Sequence, residues 1–291
     1  MILVGTLWSD HGATLLARER GFFGVLRVVD DGAYRVLLHG STLHGSQAVR
    51  ERELCEPLAY YTRRGPLGRA IAARRTAFPE VTDAAIIGLG AGAIACYAAP
   101  GERWTFHEIN SDVVDVATEP GLFTFVENAR ATGATIELTV GDGRTGLLHT
   151  PAASVSLVMV DAFNSDSVPI HLLTREAVRV YLDALRDDGW LLLHISNRTL
   201  DLTRVVSAIA EAEHLSVVVN RDAAEIGGAS AAESAAEAGI PGSSSGASPT
   251  WVVLARTSEA LDVLRLSAGF VDLPPPRGAP AWTDERASLF E

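Results

Sequence analysis

A glycine-rich turn and three acidic positions, each behind an apolar run, could together build a nucleoside site. The first apolar run, 84–88, leads into Gly88-Leu89-Gly90-Ala91-Gly92-Ala93. Glycines at a strand-to-helix turn let backbone N–H groups approach a ligand closely, and the helix N-terminus behind them favours electron-rich groups. About twenty residues further on, Glu108 ends a second run, where a carboxylate can accept hydrogen bonds from both ribose hydroxyls. Gly141-Asp142-Gly143 follows a third run, and Asp142 can accept the adenine amino proton. A fourth run ends in Asp161-Ala162-Phe163-Asn164-Ser165-Asp166. Asp161 is the candidate to orient a nucleophilic amine or take its proton, with Asn164 and Asp166 able to assist. The turn and Glu108 alone fit NAD as well as S-adenosylmethionine, and Ala93 satisfies the third small position of the dinucleotide fingerprint. Asp142 is the feature that favours S-adenosylmethionine or its decarboxylated form.

These groups need strands to carry them. Strand-like runs stand at 84–88, 103–109, 135–140, 155–161, 189–195, 215–220 and 250–256. Helical patterns lie between most of them, among them Thr174 to Leu185, with Thr174 as N-cap, and Leu202 to Glu213. Alternating strand and helix predicts a largely parallel sheet covered on both faces, with ligands at the carboxyl ends of its strands. Upstream, Gly21–Val29 and Tyr34–Gly40 flank Asp30-Asp31-Gly32, a hairpin signal that places a small antiparallel β-domain in residues 1–56. The catalytic domain is then 57–291. Residues 53–74 read as helix, broken near Gly65-Pro66. Residues 222–249, rich in Ala, Gly, Ser and Glu, read as a flexible insertion without the apolar side chains a core needs.

The formal net charge of −12 argues against a nucleic-acid partner, since such a surface repels phosphate backbones. All the basic side chains other than histidine are arginine. No run is long enough for a membrane-spanning helix, and the N-terminus lacks the features of a signal peptide. Cys55 and Cys96 form no CxxC and are expected to be free thiols in a reducing cytoplasm. No metal-ligand spacing is present.

The stretch Asp161–Thr174, with His194-Ile195-Ser196-Asn197-Arg198, resembles the spermidine synthase-like (polyamine aminopropyltransferase-like) proteins, and more closely the branch often fused to a membrane-transporter-like region. Phe22-Phe23-Gly24-Val25, Leu38–Gln47, Pro57-Leu58-Ala59-Tyr60-Tyr61 and Trp282-Thr283-Asp284-Glu285 match that branch too. The resemblance implies a Rossmann-like class I methyltransferase fold (α/β) behind the N-terminal β-domain. By it Gly88, Gly90, Gly92 and Gly143 cradle the nucleoside, Glu108 holds the ribose, Asp142 holds the adenine, and Asp161 is the catalytic aspartate. Gln47 and Tyr61 line the site from the N-terminal side. It also allows a homodimer through the β-domain, and a cytoplasmic location either as a free protein or as the cytoplasmic part of a membrane-anchored one.

One departure bears on the reaction. Aminopropyltransferases carry an aspartate inside the glycine turn, in a pattern like Gly-Gly-Gly-Asp-Gly-Gly, and Ala91 stands there in this chain. Without that carboxylate the site should accept the carboxylate of S-adenosylmethionine itself. The reading is therefore a spermidine synthase-like transferase using S-adenosylmethionine, with methyl transfer to an amine or similar nucleophile. The alternative is aminopropyl transfer from decarboxylated S-adenosylmethionine to make a polyamine. More distant are an NAD-dependent dehydrogenase and a non-catalytic nucleoside-binding module. Of the histidines near the site, His44 and His171 are candidates for a base or substrate contact, and His39 and His194 read as hydrogen-bonded structural residues.

Overall fold

The computed structural model describes residues 13–40, 42–50, 55–80, 82–163, 168–196, 201–220, 249–276 and 278–287. The insertion expected at 222–249 falls almost wholly outside them, as do Asn164 and Asp166.

Four strands, β1 (Thr14–Gly21), β2 (Gly24–Asp30), β3 (Tyr34–His39) and β4 (Thr42–Ala48), form an antiparallel meander in the order β1-β2-β3-β4. The hairpin read at Asp30-Asp31-Gly32 is its centre. Gly32 takes φ +87°, and the Asp31 carboxylate accepts the N–H groups of Ala33 and Tyr34, which closes the turn. The flanking strands β1 and β4 extend the expected two-run hairpin.

The second sheet contains β5 (Ala84–Ile87), β6 (Arg103–Glu108), β7 (Thr135–Val140), β8 (Val155–Val160), β9 (Leu185–His194), β10 (Ser216–Asn220), β11 (Trp251–Ala255) and the short β12 (Val271–Asp272). Their order is β12-β10-β11-β9-β8-β5-β6-β7. The five strands from β9 to β7 run parallel, and β11 lies antiparallel between β9 and β10. This is the Rossmann-like class I methyltransferase arrangement expected from the sequence.

Alternation along the strands sends neighbours to opposite faces. Ile86, Leu157, Met159 and Leu192 enter one buried cluster, and Ile87, Val158, Val160 and Leu193 enter the other. The first cluster is covered by α1 (Pro66–Ala77), α2 (Ser111–Thr118), α3 (Phe125–Ala131) and α7 (Asp262–Ser267), and the second by α5 (Arg175–Ala184) and α6 (Thr203–Ala212). A one-turn helix, α4 (Gly143–Leu147), follows β7. Leu26, Val28 and Leu37 of the N-terminal meander belong to the first cluster, so the two sheets share one core.

Two expectations need correction. Residues 53–74 are not one helix. A 3-10 turn at Ala59–Tyr61 precedes α1, which starts at Pro66, where the missing N–H costs nothing. The second correction concerns the thiols: Cys55 and Cys96 are joined in a disulfide, with Cα atoms 5.3 Å apart across a sequence separation of 41. Spacing along the chain could not show that the segment before α1 folds back on the helix behind the glycine turn. The cytoplasmic reading thereby loses the support it drew from free thiols. Among the described residues no helix is long and apolar enough to cross a membrane.

Closing a loop of this length restricts the unfolded chain enough to stabilise the fold by about 2–4 kcal/mol. Reduction, or paired Cys55→Ser and Cys96→Ser substitution, should therefore lower the melting temperature by several degrees in calorimetry. An unchanged melting curve would show that the bridge is not formed in solution.

Candidate functional site

A cavity of about 380 Å³ opens at the carboxyl ends of β5, β6, β7 and β8. That volume suits a small molecule. Its floor is the glycine turn, and its roof is the N-terminal meander, which contributes Phe23, Leu26, Leu37, His39 and His44.

The glycines are there because other backbones cross within contact of them. A Cβ on Gly88 would lie 2.2 Å from the carbonyl oxygen of Asp161, and one on Gly90 would lie 2.5 Å from that of His44. Both also hold positive φ, +100° and +54°. Gly143 meets the Ile87 side chain in the same way, at 2.4 Å. Gly92 faces Val126 of α3 and does not reach the cavity, so it serves packing behind the turn.

Glu108 accepts two backbone N–H groups, from Leu89 in the turn at 3.0 Å and from Asn110 at 2.9 Å. Burial pushes its carboxyl above the usual range, against the opposing effect of those bonds. Asp142 caps α4 through the Thr145 N–H at 2.8 Å and meets His171 Nε2 at 3.0 Å. Partial burial pushes its carboxyl up, but the Thr145 and His171 contacts outweigh this and hold it below its ordinary value.

His171 is anchored from below by the C-terminal segment. Arg144 donates to the His171 carbonyl and makes a two-pronged pair with Asp284, both prongs at 2.7 Å. Asp284 also accepts the Thr174 hydroxyl, and these contacts, led by Arg144, bring its carboxyl down to about 2. The Trp-Thr-Asp-Glu motif near the chain end thus braces the Asp142 and His171 side of the cavity.

Asp161 sits at the end of β8 with both oxygens held. Tyr61 donates its hydroxyl to Oδ2 at 2.8 Å, and His194 Nδ1 meets Oδ1 at 2.7 Å. The Asp161 side chain is only 6% exposed. Burial, then the neighbouring Asp161 charge, push the Tyr61 phenol well above its ordinary value. It therefore stays a donor, and it acts on the cavity through Asp161. Tyr97 donates to the Tyr61 carbonyl at 2.5 Å, which ties this residue to the helix carrying Cys96.

The structure brings Gly88, Gly90, Gly143, Glu108, Asp142, Asp161, His44 and His171 to one cavity. It does not bring Gln47, which is 2% exposed and engages Thr124 at the start of α3 through both amide atoms. Asn164 and Asp166 lie outside the described residues. Ala91 is 1% exposed and packs on Gly45, where an added Cβ would stand 2.7 Å from its methyl carbon. The absent turn carboxylate therefore points to β4 packing more than to the cavity, a correction to the reasoning from sequence. Sequence reasoning placed His39 near the site and missed Phe23, Ile109 and Phe163 as cavity walls. Ile109 was findable as the apolar neighbour of Glu108, but Phe23 carries no local signal.

No family model matches the sequence, and no curated protein matches it. Among solved structures, a probable spermidine synthase from Corynebacterium glutamicum superposes with TM-score 0.65 at 16% identity, covering 94% of this chain and 98% of that one. Spermidine synthase from Thermotoga maritima gives 0.55 at 11% identity, over 93% and 81% of the two chains. A spermidine synthase in complex with the transition state analogue AdoDATO gives 0.55 at 10%, over the same shares. This is a likeness of fold, and its extent takes in most of the chain.

Two outcomes follow for a nucleoside such as methylthioadenosine. Glu108→Ala and Asp142→Ala should each weaken binding by about 1.5–3 kcal/mol in calorimetry without unfolding the protein. On acidification the wild type should lose affinity as Glu108 protonates, above 4.5, because its carboxyl is raised; Asp142 protonates only below 3.8. That upper step should vanish in Glu108→Ala. Separately, Gly88→Ala should cost about 3 kcal/mol or more of stability, since it combines a backbone clash with a positive φ.

Proposed function

We propose that this chain is a transferase that uses S-adenosylmethionine and passes its methyl group to an amine or similar nucleophile. The observation that carries this reading is Asp161, a buried carboxylate at the cavity wall with each oxygen held by one donor, beside Glu108 and Asp142. The residues fit the nucleoside. Gly88 and Gly90 bring backbone to the cavity wall, Glu108 offers acceptor lone pairs to a ribose diol, and Asp142 offers one to an adenine amino group. When bound, S-adenosylmethionine supplies a carbon activated by its sulfonium. The protein's part is alignment and proton acceptance. Asp161 takes the proton that the nucleophilic nitrogen sheds as its bond to carbon forms. Tyr61 steadies the carboxylate before that step and does not compete for the proton. Phe163 and Ile109 add apolar surface to the cavity wall.

The donor choice rests on the wall beside the turn. Gly88, Leu89, Gly90, His39 and His44 line it, and none of these side chains is acidic. The carboxylates that border this wall are Glu108, which accepts the Leu89 N–H, and Asp161, and the partners proposed for them are the ribose and the amine. Aminopropyl transfer is the second reading, favoured by the likeness to spermidine synthases over more than nine-tenths of the chain.

Parallel calorimetry with S-adenosylmethionine, its decarboxylated form, methylthioadenosine and NAD tests both. S-adenosylmethionine should bind more tightly than the decarboxylated donor, and NAD should not bind. Tighter binding of the decarboxylated donor, with spermidine formed from putrescine, would establish the second reading; binding of NAD alone would overturn both. Ala91→Asp should not switch the donor. It forces a carboxylate against Gly45 in a buried contact and should cost about 3 kcal/mol or more of stability.

A further inference from the structure

We propose that His194 is the positioning residue for Asp161, locked in its Nδ1–H tautomer by Ser196 and the backbone of Thr250. The inference rests on the reading of Asp161 as proton acceptor and extends it to a residue that does not touch the cavity.

The Asp161 carboxylate can only accept, which puts a proton on Nδ1, and a chain of donors lets Nε2 be the acceptor. The Thr250 N–H can only donate, and it reaches Ser196 Oγ at 2.8 Å. The Ser196 hydroxyl hydrogen is then available to His194 Nε2, also at 2.8 Å. With Nε2 accepting, Nδ1 carries the proton and donates to Asp161 Oδ1 at 2.7 Å. The other neutral tautomer would turn an imidazole lone pair on a carboxylate oxygen. Every polar atom along the line from Thr250 to Asp161 has a partner, as buried polar groups require.

The ring cannot turn out of this line. His194 faces Trp251 across the β9–β11 ladder, and the two rings stack with centroids 4.6 Å apart and planes 5° from parallel. Phe163 meets its edge at 4.9 Å, and Tyr60 stands at 5.8 Å. The side chain is 3% exposed, so water does not compete for either nitrogen. With His194 on one oxygen and Tyr61 on the other, the Asp161 carboxylate cannot rotate. Its remaining lone pairs stay aimed at the cavity. In the reaction the N–C bond forms as the C–S bond breaks, the thioether leaves neutral, and the amine proton passes to Asp161. His194 holds the acceptor still throughout.

Nitrogen NMR on protein labelled with ¹⁵N-histidine reads the tautomer without any substrate, and His194→Asn assigns the signal. The expected spectrum has a protonated Nδ1 and a bare Nε2. Steady-state transfer from S-adenosylmethionine to putrescine reads the consequence. His194→Ala should lower kcat roughly 30-fold with the donor KM within about two-fold, the scale of a misplaced proton acceptor. His194→Asn keeps an N–H donor near the position of Nδ1 and should recover activity to within about five-fold of wild type. Should His194→Ala fail to fold, Ser196→Ala removes one hydroxyl and little packing, and should slow kcat about three-fold. An Nε2–H His194 overturns the proposal, as does His194→Asn being as slow as His194→Ala, or neither variant being slow. If the wild type is silent with putrescine, the tautomer alone decides. Failure to bind any nucleoside would instead sink the transferase reading and leave the nitrogen spectrum to stand by itself.

Discussion

Three chain segments cross within one backbone's width at the glycine turn, and the site depends on that crossing. Gly88 lies under the Asp161 carbonyl, Gly90 lies under the His44 carbonyl, and Ala91 meets Gly45. The Ala91 N–H donates to the His44 carbonyl at 3.1 Å, and the Gly88 N–H donates to that of His107 at 2.8 Å. One set of contacts therefore fixes the height of Asp161 above the turn and the position of the N-terminal roof. Side chains on Gly88 or Gly90 would push these layers apart and open the cavity.

The second constraint is the burial of charge. Asp161 and Glu108 are carboxylates in largely desolvated positions, and each is held by two donors. The donors differ in kind. Those on Glu108 are backbone N–H groups, fixed by the fold. Those on Asp161 are side chains, so its orientation depends on tyrosine and histidine being held in turn. Tyr97 holds the Tyr61 backbone, and Ser196 holds His194. Fixed dipoles of this kind cost no reorganisation when a charge moves in the site.

The disulfide acts at the same junction. It joins Cys55, just ahead of Tyr61, to Cys96, one residue before Tyr97. Arg63 donates to the carbonyls of both cysteines, at 3.3 and 3.2 Å, and its guanidinium lies over the Tyr97 ring. The segment between the two sheets is irregular, with left-handed backbone at Cys55 and Ala59. A covalent tie there restrains a segment of irregular backbone. Beside His171, the Arg144–Asp284 pair ties the C-terminal segment to α4 with charge.

Local pattern determined a good deal. Alternating apolar runs and helical stretches are properties of short windows, and they specified the parallel sheet, most strand ends to within a few residues, and the N-cap at Thr174, whose hydroxyl accepts the Ala177 N–H. Glu108, Asp142 and Asp161 were readable because each ends a strand or stands within two residues of its end, where the topology leaves side chains at the sheet's carboxyl edge. Tertiary structure alone decided everything that depends on contact between segments distant in sequence. It paired Cys55 with Cys96, sent Gln47 to Thr124, turned the Ala91 methyl to Gly45, and placed the meander over the cavity. It also put His194 and Tyr61 on the two oxygens of Asp161. A histidine ending a strand looks the same in sequence whether its ring meets a carboxylate or a carbonyl, because the partner is set by how the sheets pack and not by any neighbour along the chain.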